Sequence, residues 1–257
     1  MPVGLDALAE LDDEYADCDA CPLLCKHRTA PVFGSGSATA RIMVVGEAPG
    51  PTEDQEGVPF IGPSGRRLMD LLRMAWPETE EMTELEEVWE RYGDSDTYWN
   101  RLRDYLDEHI FWTNTVLCLP QDSDGDIRAP TNAEVKACRE RLERTVYAVD
   151  PLLIIAAGKA AASALVGKVV QITKQRGEIF DITITSPVTG EHVRYPCLAI
   201  LHPAYLMRKG DAALMEKKQG ETYETYQDLK WAIEHLLEPE FRDNFGTHFP
   251  HRPTERP

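Results

Sequence analysis

Four apolar runs of strand length, Ile42 to Val45, Ile110 to Val116, Leu152 to Ala157 and Cys197 to Leu201, constrain this chain most. Each is followed by a loop holding Gly, Pro or Asn and then by a helical pattern, an order that predicts a parallel sheet covered by helices on both faces. The expected fold class is therefore α/β, a three-layer αβα sandwich around a short central parallel sheet of about four strands. In such a sheet, ligand chemistry collects at the carboxyl ends of the strands. The first run ends in Gly46-Glu-Ala-Pro-Gly50, and Gly57-Val-Pro-Phe60-Ile-Gly62-Pro-Ser-Gly65 follows at a short distance. That stretch offers a carboxylate, a lone aromatic ring and several glycines, enough to grip a flat ring and to approach a phosphate backbone closely.

Helices are expected over Gly65 to Ala75, Asn132 to Val149 with Thr131 as its cap, Lys159 to Leu165 and Tyr223 to Leu237. Ile172 to Val193 reads as a hairpin around Ser186-Pro-Val-Thr-Gly190. Between Glu78 and Glu108 the apolar residues Leu85, Val88, Trp89, Tyr92, Trp99, Leu102, Tyr105 and Leu106 recur at three- and four-residue steps. Two amphipathic helices around Gly93-Asp-Ser-Asp96 are predicted there. The expected organisation is one domain over residues 1–237, interrupted by an acidic helical insertion at about 77–108, and a C-terminal tail over 238–257. With 257 residues and 42% hydrophobic content, two full domains are not expected.

A formal charge of −17 argues at first against a nucleic-acid partner, because phosphate contacts need Lys and Arg. The charge is unevenly placed, however. Glu78 to Glu108 holds twelve acidic residues against three basic ones, a balance of −9, so about half of the excess sits in one segment. No apolar run approaches the roughly 18 residues that span a bilayer, and the N-terminus has no cationic start with an apolar core. A cytoplasmic protein with no membrane partner is expected.

Cys18-Asp-Ala-Cys21 is a closely spaced pair, while Cys118 ends the second strand and Cys138 lies in the helix after it. A close pair plus two distant thiolates holds either an iron–sulfur cluster or a structural zinc. A disulfide framework is not expected without a sign of secretion. Cys197, inside an apolar strand, reads as a packed core residue.

Together these motifs resemble the family 4, iron–sulfur branch of the uracil-DNA glycosylase superfamily. The resemblance runs from about Cys18 to Lys209 apart from the insert. It rests on Cys18-x-x-Cys21-Pro-Leu with Arg28-Thr29, Gly46-Glu-Ala-Pro-Gly50 with Glu53-Asp54, Pro59-Phe60-Ile-Gly62, Thr113-Asn114-Thr-Val-Leu-Cys118, Cys138 and His202-Pro-Ala-Tyr-Leu-Met-Arg208. It implies a [4Fe–4S] cluster on Cys18, Cys21, Cys118 and Cys138, and a monomeric enzyme whose substrate is a base flipped out of DNA. Gly46, Asp54, Phe60 and Asn114 would bind that base, with Phe60 stacking on it and Asn114 reading its edge. His202 would stabilise charge on the leaving base, and Glu47 would position water or balance a cationic sugar. Ala48 stands where some relatives outside this branch place an aspartate. Gly62, Ser64, Lys159, Arg176 and Arg208 would contact DNA, while Leu206 and Met207 would wedge into the gap left by flipping.

Three departures bear on the substrate. The insert is absent from compact members, Gln121-Asp-Ser-Asp-Gly-Asp126 widens the Cys118 to Cys138 gap to nineteen residues, and Leu117 and Leu119 stand where basic residues are frequent. Two other expectations therefore stand beside uracil excision. One is release of another modified pyrimidine, such as a hypermodified phage base removed in antiviral defence. The other is a catalytically weak DNA-binding module.

Overall fold

The computed structural model describes residues 4–210 and 215–237; the expected tail at 238–257 lies outside them. The strands are β1 (Ser35–Gly36), β2 (Ile42–Gly46), β3 (Ile110–Asn114), β4 (Leu153–Ala157), β5 (Ile179–Thr185) and β6 (His192–Ile200). The helices are α1 (Leu5–Ala16), α2 (Pro22–His27), α3 (Pro51–Glu56), α4 (Pro63–Ala75), α5 (Glu80–Tyr92), α6 (Asp96–Asp107), α7 (Asn132–Val149), α8 (Lys159–Val166), α9 (Ile172–Gln175), α10 (Pro203–Lys209) and α11 (Gly220–Leu236).

The strands form one sheet in the order β1-β3-β2-β4-β6-β5. The four central strands are the expected parallel set, and every residue of β2, β3 and β4 is buried. Helices on both faces leave no side open to water, so β2 and β4 read as unbroken apolar runs and β3 turns polar only at Thr113 and Asn114. The sheet is larger than the expected four strands, because antiparallel β1 and β5 close its edges. Two-residue β1 has no periodic signal of its own. The hairpin forms as β5 and β6, but Ile172–Gln175 is a helical turn, and the fourth apolar run proves to be the end of the nine-residue β6.

Alternate strand residues feed two cores. Met43, Val45, Phe111, Ile154 and Ala156 face α1, α7 and α8, whereas Ile42, Val44, Trp112, Ile155 and Leu198 face α4, α6 and α11. Helix α7 begins with a capping box: Thr131 Oγ1 accepts from the Glu134 amide at 3.3 Å, and Glu134 Oε2 accepts from the Thr131 amide at 2.7 Å.

The insert forms the two expected helices, α5 and α6, capped by Thr79 and Ser95. Tyr98, Leu102 and Leu106 are almost wholly buried against the α4 side of the sheet. At about 1.5–3 kcal/mol for each large apolar side chain buried, α6 is held as core. Trp89, Tyr98 and Trp99 cluster edge to face where the two helices meet.

Candidate active site

Because β2, β3, β4 and β6 run parallel, Gly46, Asn114, Gly158 and His202 arrive at one edge of the sheet. Gly46 and Asn114 are register partners. A Cβ added at Gly46 would lie 2.2 Å from Asn114 Oδ1 and 2.7 Å from Phe60 Cζ, so the glycine makes room for both side chains to converge. Asn114 is only 3% exposed, yet among the described residues its carboxamide has no hydrogen-bond partner. Its main chain is fixed from behind: Arg141, fully buried, donates to the Asn114 carbonyl at 2.6 Å, the Thr115 carbonyl at 3.1 Å and Thr113 Oγ1 at 3.1 Å.

Phe60 has a φ of 60°, the left-handed region that a bulky side chain rarely adopts. Gly65 permits this, since a Cβ there would lie 1.9 Å from the Phe60 carbonyl oxygen. The loop is braced by Glu53, whose Oε2 accepts from the Gly50 amide at 3.1 Å and Oε1 from the Gly62 amide at 2.8 Å. Asp54, expected at the base, spends both carboxylate oxygens on the Thr29 amide, at 3.2 and 3.0 Å. It thereby ties the pocket loop to the cysteine-bearing segment rather than facing a ligand.

His202 caps α10, with Nδ1 accepting from the Ala204 amide at 3.1 Å. A ring nitrogen that accepts carries no proton, so the neutral ring bears its proton on Nε2. Burial, and then Arg208, hold the His202 pKa below its usual value, which keeps the ring neutral. Glu47 is half-buried, and burial pushes its carboxyl above the usual carboxylate range. Both line a cleft of about 910 Å³ that also takes in Lys136, Arg139, Lys159, Lys168 and Arg208. Arg139 pairs with Glu143 at 2.7 Å, and the other four basic groups against the single acid Glu47 make this cleft cationic within a strongly acidic chain.

The remaining expected contacts divide. Lys159 and Arg208 are exposed on the cleft, Ser64 sits in the first turn of α4, and Met207 is 46% exposed. Three expectations are corrected. Arg176 is buried and paired with Asp228 at 2.7 Å and with Glu224, so its guanidinium is committed to α11 and not to phosphate. Leu206 is 2% exposed and packs in the core beneath α10, because only one side of that helix faces outward. The Gly62 amide, likewise, is taken by Glu53.

Cys18, Cys21, Cys118 and Cys138 line one small cavity that shares no residue with the cleft. Burial, and then the nearby Cys138, Glu134, Cys118 and Cys18, push the Cys21 thiol up to about 11. Cys118 is pushed up to about 11 by burial against the pull of Arg28, which donates to its Sγ at 3.0 Å. Four thiols gathered in a buried place carry their charge only with a cation among them, which is the chemistry of a thiolate-bound metal. Among the described residues no group of three or more His, Cys, Asp or Glu forms a ready single-ion site.

The family model described as the uracil DNA glycosylase superfamily matches residues 33–230. A type-4 uracil-DNA glycosylase of Thermotoga maritima is 33% identical over 199 residues, covering 77% of this chain and 82% of the relative. The chain belongs to the type-4 uracil-DNA glycosylase family. Members from Pyrobaculum aerophilum, 31% identical over 79% of this chain and 85% of theirs, and from Sulfurisphaera tokodaii, 30% identical over 68% and 67%, bear the same name. Among the described residues no helix is long and apolar enough to cross a membrane.

Seen as a family member, the chain adds residues that sequence reasoning passed over. Glu53 was legible only as part of a motif, although its place three residues after Gly50 is the spacing of a cap. Arg141 stands three residues after Cys138 and one before Leu142, on the buried stripe of α7, and a charge at such a position is a signal in itself. Lys136, Arg139 and Lys168 carried no local signal.

Proposed function

We propose that this chain is a DNA glycosylase that hydrolyses the N-glycosidic bond of a flipped-out uracil and leaves an abasic site. One observation carries the reading: the Asn114 carboxamide is buried beside Phe60 with no hydrogen-bond partner among the described residues, at the sheet edge where a neutral His202 also arrives. The shared name of the relatives favours uracil over a bulkier base and over a module that only binds DNA.

Flipping a base costs a few kcal/mol, offset by a fitted pocket and by clamps on the flanking phosphates. Phe60 stacks on the flipped ring. The Asn114 amide donates to one ring carbonyl and accepts from the neighbouring imide N–H, a pattern that a cytosine edge presents in reverse order. As the glycosidic bond breaks, negative charge collects on the base, and His202 Nε2–H donates to its carbonyl oxygen. Glu47, in carboxylate form, orients water toward the sugar or offsets its positive charge. Ala48 supplies no base, so the reaction leans on a dissociative transition state. Lys159, Arg208 and the other cations of the cleft hold phosphates, with Ser64 at the α4 N-terminus and Met207 at the duplex.

Cys18, Cys21, Cys118 and Cys138 would hold a [4Fe–4S] cluster. Bound there, it would act as a cross-link joining the N-terminal segment, the loop after β3 and α7, remote from the cleft. We read the working unit as a cytoplasmic monomer.

Incubation with oligonucleotides carrying single uracil or bulkier modified pyrimidines, followed by alkaline cleavage, tests the reaction. Release of uracil is expected. Release of a bulkier base alone, or binding without cleavage, would overturn it. Visible absorbance that bleaches with dithionite is expected for the cluster; a colourless, zinc-containing protein would refute it.

A further inference from the structure

The wall of the base pocket is gripped by the acidic insert. Arg103, on α6, is 8% exposed, and its Nη1 donates to the Pro59 carbonyl at 2.8 Å and reaches that of Phe60 at 3.5 Å. Nη2 donates to Ser35 Oγ at 2.5 Å and Nε to Asp107 Oδ1 at 2.6 Å. The guanidinium also lies 4.8 Å from the centroid of the Trp112 ring, and Trp112 packs on Phe60 at 5.5 Å. A guanidinium presents five donors in a rigid fork, so one side chain joins the pocket loop, the sheet edge and α6.

The grip falls where the backbone is under strain. Phe60 holds a φ of 60°, a conformation that persists only when its surroundings over-determine it. Gly65 packs against the Phe60 carbonyl, and Arg103 Nη1 reaches the same oxygen at 3.5 Å. A charge buried this far is retained only where acceptors surround it, and here two of those acceptors are the carbonyls that carry the pocket wall.

We propose that Arg103 is a positioning residue that fixes Phe60 as the platform for the flipped base, so that the insert sets the width of the pocket and hence which pyrimidine fits. The inference rests on the reading of Phe60 as the stacking wall. It also gives the insert a role on its inner side, whatever its acidic outer side does.

The test compares wild type with R103A, R103K and D107N. Three quantities are read: single-turnover release of uracil, release of 5-hydroxymethyluracil from the same sequence, and amide hydrogen exchange over residues 57–62. R103A is expected to slow uracil release by about 10-fold or more, since misplacing a reacting group by about 1 Å can cost about 10²-fold. The preference for uracil over the bulkier base should narrow, and exchange over 57–62 should quicken while β2 and β4 stay protected. R103K, which keeps charge but not the fork, should fall between. A rate, preference and exchange all within twofold of wild type would overturn the proposal. So would activity lost only in proportion to the folded fraction with preference unchanged. Should R103A fail to fold, R103K and D107N carry the same comparison. If wild type released no base, the functional reading would fail, while exchange over 57–62 would still decide whether Arg103 holds the loop.

Discussion

Gly158 lies against the imidazole of His202: a Cβ added to it would sit 3.0 Å from His202 Cβ and Cδ2, on a backbone with a φ of 99°. The glycine is thus required twice, once for its conformation and once for the ring that rests on it. G158A is expected to displace His202 and slow single-turnover uracil release by about 10-fold or more, with strain of about 1–2 kcal/mol appearing as a lower melting temperature. An unchanged rate in a folded G158A protein would show that this placement of His202 is immaterial.

The acid limb of the pH profile follows from two shifts of opposite direction. Burial lowers the His202 pKa from 6.5, so the neutral donor persists below that pH, and burial raises that of Glu47 from 4.5, so its carboxylate is lost earlier on acidification. The rate should fall on acidification while the pH is still above 4.5, as Glu47 takes up its proton; E47Q should lower the plateau and remove that part of the limb. For stability, the unfolded chain binds the His202 proton first, so acidification through 6.5 favours unfolding. A rate that climbs as pH drops through 6.5 would mean that imidazolium is the working form, contrary to the cap at Ala204.

Gly46 and Asn114 offer a steric test of the base pocket. In G46A the new methyl group would meet Asn114 Oδ1 and the Phe60 ring, and uracil release is expected to fall about 10²-fold or more, as for N114A. Circular dichroism should show both variants folded. Rates within about twofold of wild type would remove Asn114 from the site.

Lys159 and Arg176 separate phosphate contact from internal pairing. K159A should weaken DNA binding with little change in melting temperature, and reduce the slope of log affinity against log salt by about 1. R176A should leave that slope unchanged but cost about 3 kcal/mol of stability, because Asp228 loses a buried partner. The reverse pattern would restore Arg176 to the DNA side.

Features that depend on neighbours in the chain were legible before the fold was known. Thr131 caps α7 as expected because a cap is read three residues away, and β2, β3 and β4 declared themselves because strands buried on both faces are mostly apolar, β3 turning polar only at Thr113 and Asn114. The motif order also singled out Asn114 and His202, which arrive at one edge of the sheet, and Phe60, which converges with Asn114 on Gly46. Arg176 and Leu206 misled because adjacent residues on a short helix or turn point in different directions, and the choice between core and solvent is made by α11 and the sheet.

By itself, then, the sequence determined the parallel core, the close pair Cys18 and Cys21 and the residue types at the sheet edge, since each follows from local periodicity or spacing, while Cys118 and Cys138 joined that pair only through the family resemblance. Tertiary structure alone decided which charges serve which purpose. Arg103 reaches Pro59 across 44 positions and Arg141 reaches Asn114 across 27, while the cations of the cleft come from segments with no common pattern. Such contacts depend on how helices dock on the sheet, and docking is settled by burial summed over the whole chain rather than by any stretch of it.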